Sequence, residues 1–205
     1  NESGCTKILI IGGGGNQAGN ITSTMDVLKS DLLSKFDYKF VGVAGHPEGS
    51  PDISNQNLDL AINEKNNFAK NVDFQMYIAT QFFFEAKSLI DWEKHLSTLG
   101  NNLPIHAGIP GPASIKTLIN YARSCGIGNS LRFISKQAFN LTKLATLSTP
   151  DKLIYDLASY VNSNQSSNLE NIHFYAFGGM KKTSDWLNQL NSSNLIYNNK
   201  NQFVL

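Results

Sequence analysis

Phe40-Val41-Gly42-Val43-Ala44-Gly45-His46-Pro47-Glu48-Gly49 is an apolar run that breaks abruptly into polar and turn-forming residues. A buried parallel strand reads this way, because both of its faces are covered and polarity returns only where the strand surfaces. Tyr77-Ile78-Ala79-Thr80-Gln81-Phe82-Phe83-Phe84-Glu85 repeats the pattern further along. In α/β proteins the carboxyl ends of such strands carry the chemistry, so function is expected where His46 and Gln81 stand.

Outward from these two, Lys7-Ile8-Leu9-Ile10-Ile11, Leu103-Pro104-Ile105-His106-Ala107 and Ile172-His173-Phe174-Tyr175-Ala176 predict further strands. Apolar residues recur at helical spacing between them: Ile21, Met25, Leu28 and Leu32, then Leu58, Ala61, Ile62, Phe68 and Ala69. Phe82, Ala86, Leu89, Ile90 and Leu96 form a third stripe, and Ile115, Leu118, Ile119, Ala122 and Cys125 a fourth. Ser130 to Val161 is mostly helical in pattern, with a helix start at Thr149-Pro150-Asp151, although Leu131-Arg132-Phe133-Ile134 also reads as a short strand. Thr183 to Leu190 predicts a last helix, and residues 191–205 a peripheral tail.

Repeated βα units imply one α/β domain over residues 1–205 with a parallel sheet and right-handed crossovers. A doubly wound open sheet needs five or six strands, whereas a (β/α)8 barrel needs eight and typically about 250 residues. Strand counting alone favours the open sheet.

Composition narrows the function classes. With 41% hydrophobic and 16% charged residues, the chain lies outside the disordered, fibrous and membrane classes. A formal net charge of +1 with scattered Lys and Arg offers no basic face, so neither nucleic acid nor membrane is an expected partner. Cys5 and Cys125 are too few for a disulfide framework, and the cytoplasm is the expected compartment. His46, His95, His106 and His173 form no pair with metal-ligand spacing. No Gly-x-Ser-x-Gly elbow or phosphate-binding Gly-Lys-Ser/Thr run occurs.

Gly12-Gly13-Gly14-Gly15-Asn16-Gln17-Ala18 follows the first strand, and Gly13, Gly15 and Ala18 satisfy the G-x-G-x-x-G/A dinucleotide fingerprint. A Rossmann domain also wants an acid at the end of its second strand, which here ends Ala44-Gly45-His46. That missing acid counts against the fingerprint, and an NAD(P)-binding Rossmann domain stays only as an alternative. The other readings are a flexible turn that needs φ > 0 and a turn whose backbone approaches a flat or anionic ligand.

Four segments taken together, VGVAGHPEGSPD, ATQFFFEAKSLIDW, LPIHAGIPGPASIKTLINYAR and HFYAFGG, resemble in order and spacing the later strands of the methylenetetrahydrofolate reductase family. The resemblance covers nearly the whole chain up to about Trp186. It implies a (β/α)8 barrel, of which this chain covers roughly strands 4–8, the first three preceding Asn1. It implies FAD, with NAD(P)H as reductant, and reduction of 5,10-methylenetetrahydrofolate to 5-methyltetrahydrofolate in one-carbon metabolism and methionine biosynthesis.

By that resemblance, Gly12, Gly13, Gly14, Gly15, Ala44, His46, Asn66 and Lys70 bind the flavin. Gln81, Thr117 and Tyr121 bind the reduced folate, Gln81 through an amide that can both donate and accept. No catalytic residue is assigned, because the family's general-acid glutamate belongs to the first strand. Gly12-Gly13-Gly14 replaces the family's Arg-Gly-Asp, Gly178-Gly179 stands where it keeps an arginine, and Thr117 occupies a second glutamine position. These departures open an alternative, a folate-binding protein or subunit of a demethylating system without reductase chemistry. Exposed edges of an incomplete barrel would favour homo-oligomers.

Overall fold

The computed structural model describes residues 4–12, 19–30, 32–137, 145–192, 196–199 and 203–204. In chain order its elements are β1 (Lys7–Ile10), α1 (Thr24–Leu28), a 3-10 turn (Leu33–Lys35), β2 (Phe40–Gly45), α2 (Asn55–Ala69), β3 (Gln75–Thr80), α3 (Ala86–Thr98), β4 (Ile105–Pro110) and β5 (Ala113–Ser114). There follow α4 (Ile115–Ser124), α5 (Gly128–Gln137), β6 (Leu147–Ser148), α6 (Asp151–Ser163), β7 (Leu169–Tyr175), α7 (Met180–Ser192), β8 (Ile196–Tyr197) and β9 (Phe203–Val204).

Five strands form one parallel sheet in the order β1-β2-β3-β4-β7. Each new strand is laid beside the preceding one and the winding never reverses. A doubly wound sheet reverses at a central switch point, and a dinucleotide-binding domain places its glycine turn there. Among the described residues, β1, which leads into Gly12, pairs only with β2. The doubly wound expectation and the Rossmann alternative both lose their footing on this strand order.

Alternation along each strand divides the sheet into two faces. Val41 and Val43 of β2, Met76 and Ile78 of β3, and Ile105, Ala107 and Ile109 of β4 pack with Met25, Leu28, Ile62, Leu89, Leu96, Leu153 and Leu157 in the main core. Helices α1, α2, α3 and α6 therefore lie on one side. α7 joins them through Trp186, whose ring meets Phe174 edge-on at 5.8 Å.

The other face is built differently. Lys7 Nζ sits 4.6 Å from the centroid of the Tyr77 ring, and Tyr77 stacks on His106 at 4.1 Å. Room for that ring comes from Gly42, where a Cβ would lie 2.5 Å from Tyr77 Cζ. Burial, then Lys7 and His173, hold the His106 pKa down to about 4. The ring is thus neutral, and its Nε2 accepts from the Asn171 amide at 3.2 Å.

Helix starts are chemically marked. Ser23 and Asp26 form a capping box on α1, while Ser54 and Ser114 cap α2 and α4 by accepting from Asn57 and Thr117 amides. Two expectations change. Leu131 to Ile134 lies inside α5, where helical spacing buries Ile134 against Ala113 and Leu118. Phe82 precedes α3 and packs with Ala122 and Ile127. In the tail, Phe203 is buried near the Trp186 ring and its N–H donates to Asp151.

Candidate functional site at the strand carboxyl ends

Because the five strands run parallel, their last residues share one edge of the sheet. Gly12, His46, Gln81, Gly111 and Ala176 follow β1, β2, β3, β4 and β7 there. Gln81 is held closely: its N–H donates to Gly45 O at 2.8 Å, and its Oε1 accepts from the Phe82 N–H at 3.1 Å. That bond turns the side-chain carbonyl inward onto the backbone. The preceding residue, Thr80, is fully buried, accepts from the Gly108 N–H through Oγ1 at 2.8 Å, and accepts from the Tyr175 hydroxyl through its carbonyl at 2.9 Å.

An aromatic platform stands beside Gln81. Phe82 meets Phe177 edge-on at 4.7 Å, and Phe177 stacks on Tyr121 at 4.0 Å with 17° between the rings. Tyr121 is 42% exposed, so a ring backed by Phe177 is left open to solvent. Such a surface suits a flat ligand, since offset stacking adds to simple area burial. Thr117 lies one turn earlier on α4, its hydroxyl 2.8 Å from that of the capping Ser114.

His46 and Ala44 lie toward the β1 side of the edge. Burial, then the neighbouring Lys65, lower the His46 pKa, so its ring is neutral at pH 7. Lys65 is itself buried, donates to the Ala44 carbonyl at 3.1 Å, and has its pKa lowered to about 8 by burial. Residue type and phase could have found it, since Lys65 lies three positions after the core residue Ile62 on the same helix face.

Of the residues expected to act together, the structure brings Gly12, Ala44, His46, Gln81, Thr117 and Tyr121 to one pole. It does not bring Asn66 and Lys70 there. α2 runs back toward the amino ends of the strands, and Asn66 bonds Asn101 Oδ1 and the Asn102 N–H in the α3–β4 loop. Lys70 is exposed at the helix end, donating to Asn67. Gly13, Gly14 and Gly15 lie outside the described residues.

Glu48 is a further residue that sequence reading left without a role. Its Oε2 accepts from the Ser130 N–H at 2.9 Å, and its Oε1 accepts from the Ser130 hydroxyl at 2.7 Å and the Ser88 hydroxyl at 3.2 Å. A groove of about 800 Å³ opens on the helix side of this turn, between α2, α3 and α5. Gln81, Thr117 and Tyr121 do not line it.

A family model described as methylenetetrahydrofolate reductase matches residues 2–190. The chain belongs to that family. Among curated relatives, methylenetetrahydrofolate reductase 2 of Saccharomyces cerevisiae (strain ATCC 204508 / S288c) is 27% identical over 168 residues, 77% of this chain and 26% of the relative. The chain thus spans about a quarter of the length of that curated relative. Among the described residues, no helix of this methylenetetrahydrofolate reductase family member is long and apolar enough to cross a membrane.

Proposed function

We propose that this chain carries the folate-binding side of a flavin-dependent reductase that takes a hydride from NAD(P)H and converts 5,10-methylenetetrahydrofolate to 5-methyltetrahydrofolate. The observation that carries the reading is the pairing of the Gln81 amide with the open Tyr121 ring at one strand edge. A pterin is flat and has a mixed donor and acceptor rim, so it needs a stacking surface and an amide together. The unreversed strand order supports a further part of the reading, that these five strands form an arc of a (β/α)8 barrel.

The residues present fit a flavin at the β1–β2 end. Neutral His46 offers a ring with a polar tip beside the end of β2, and Lys65, bonded to the Ala44 carbonyl, supplies a cation that favours an electron-rich ring system. Gly12, Ala44, His46 and Lys65 would hold it, and when bound it supplies the hydride. Asn66 and Lys70 do not fit, being at the opposite pole. The protein's own task is to stack the folate on Tyr121, orient it through Gln81 and keep both rings in register.

Gln81→Ala tests this reading. We expect 5-methyltetrahydrofolate to bind at least tenfold more weakly by equilibrium titration, while FAD uptake, read from visible absorbance, is unchanged. Equal folate affinity in both proteins would refute the assignment. A second reading, folate binding without reductase chemistry, is favoured by Gly12-Gly13-Gly14 in place of the family's Arg-Gly-Asp. A colourless protein that takes up no FAD yet binds the folate would support it.

A further inference from the structure

Gln81 does not hold its turn alone. Residues Phe82 to Phe84 leave β3 before α3 begins at Ala86, so their amides lack partners in the sheet. The Phe84 N–H donates to the Ser130 hydroxyl at 3.2 Å. Ser130 is 1% exposed, and its hydroxyl and amide both donate in turn to Glu48. The same carboxylate takes the Ser88 hydroxyl from the first turn of α3. One half-buried acid therefore joins the β2 turn, the start of α3 and the start of α5. Its own place is fixed by the turn His46 to Gly49, closed by the Gly49 N–H on His46 O at 3.0 Å with Gly49 at φ +79°.

The location matters because Ser130 lies in the first turn of α5, where backbone amides have no intrahelical acceptor. A carboxylate there satisfies an orphan donor and complements the helix dipole. Phe82, in the middle of the clamped turn, is also the residue that touches Phe177 behind Tyr121. The amide and the stacking ring thus share a support, and that support ends on Glu48.

We propose that Glu48 is a positioning residue for the folate site, fixing the Gln81–Phe84 turn through Ser130 and thereby setting the affinity for the reduced folate; this rests on the folate reading of Gln81 given above. Glu48 touches neither ring in this role. It acts through Ser130 and the Phe84 amide, and it belongs to the β2 turn whose other end carries His46.

The test is equilibrium titration of 5-methyltetrahydrofolate and of FAD into wild type, Glu48→Ala, Glu48→Gln, Ser130→Ala and the Glu48→Ala/Ser130→Ala double variant, with Tm recorded for each. We expect Glu48→Ala to weaken folate binding about tenfold and to leave FAD uptake unchanged. Glu48→Gln, which keeps one acceptor oxygen, recovers most of the loss. Ser130→Ala matches Glu48→Ala, and the double variant is no worse than either single one, because both break the same chain of bonds. Folate affinity unchanged in Glu48→Ala, with only Tm lowered, overturns the proposal, as does strict additivity of the two substitutions. Should Glu48→Ala fail to fold, Glu48→Gln and Ser130→Ala decide on the same criteria. A wild-type protein that takes up no 5-methyltetrahydrofolate overturns the folate reading itself, a result distinct from wild-type binding that Glu48 does not influence.

Discussion

Lys65 is a cation placed between a helix and a sheet, with a backbone carbonyl as its hydrogen-bond acceptor. Its pKa drops from 10.5 in the open chain to about 8 in the fold. Between those values the unfolded chain holds a proton that the folded chain has released, so this residue makes stability rise with pH across that window. Relative to Lys65→Met, the wild-type protein should gain stability between pH 8 and about 10.5, by at most about 3 kcal/mol. Melting both proteins along a pH series checks it; a constant difference in Tm would count against the buried cation. The neighbouring choices Asn66 and Lys70 show what residue type alone misses. A helix that follows a strand returns to the opposite pole, so only its early residues and long inward side chains can serve the carboxyl edge. The places of Gln81 and His46 at strand ends were legible because each directly ends an apolar run. Glu48 was not, since its partner Ser130 stands 82 positions away and serine carries no periodic signal.

Among elements, β4 is the most constrained. Every residue from Ile105 to Pro110 is buried, and Gly108 lies where a Cβ would come 2.1 Å from Thr80 O and 2.9 Å from Tyr175 Cε2. The first neighbour is backbone in a paired strand and cannot step aside. Gly108→Ala should therefore destabilise by about 3 kcal/mol, read from chemical denaturation. Gly128→Ala, at the start of α5 with nothing within 4 Å, should be neutral or slightly stabilising in the same experiment. Strands β2, β3 and β4 could be read from the sequence because their apolar runs are continuous, as two covered faces require. The segment Leu131 to Ile134 could not be classed, because four mixed residues fit either period and only its packing on Ala113 and Leu118 decides.

For the molecule as a whole, three of the four histidines share one electrostatic direction. Burial lowers His46, His106 and His173, with Lys65 adding to the first and Lys7 to the other two. Below pH 6.5 the unfolded chain takes up protons that the folded chain refuses, so stability falls on acidification, with His106 contributing down to about pH 4. His106→Gln should flatten the loss of Tm between pH 6.5 and 4; an unaltered slope would mean that other groups govern acid unfolding. Among the described residues, the groups that interact with His106 are Lys7, Tyr77, Asn171 and His173, none of them acidic. Strand number alone could not choose between an open sheet and an arc of a barrel, because both use the same βα unit. Strand order decides the direction of winding, and order depends on which edges meet in space.

Sequential pairing also bears on how the chain acquires its shape during synthesis. When β2 emerges from the ribosome its neighbour β1 is already exposed, and the same holds for β3 and β4, so the sheet can grow vectorially without waiting for distant segments. The exception is the β4 edge, which stays unpaired until Leu169 to Tyr175 appears after α4, α5 and α6. A nascent chain stalled between Pro110 and Leu169 would present that apolar edge to solvent, making this interval the one in which chaperone engagement is most valuable.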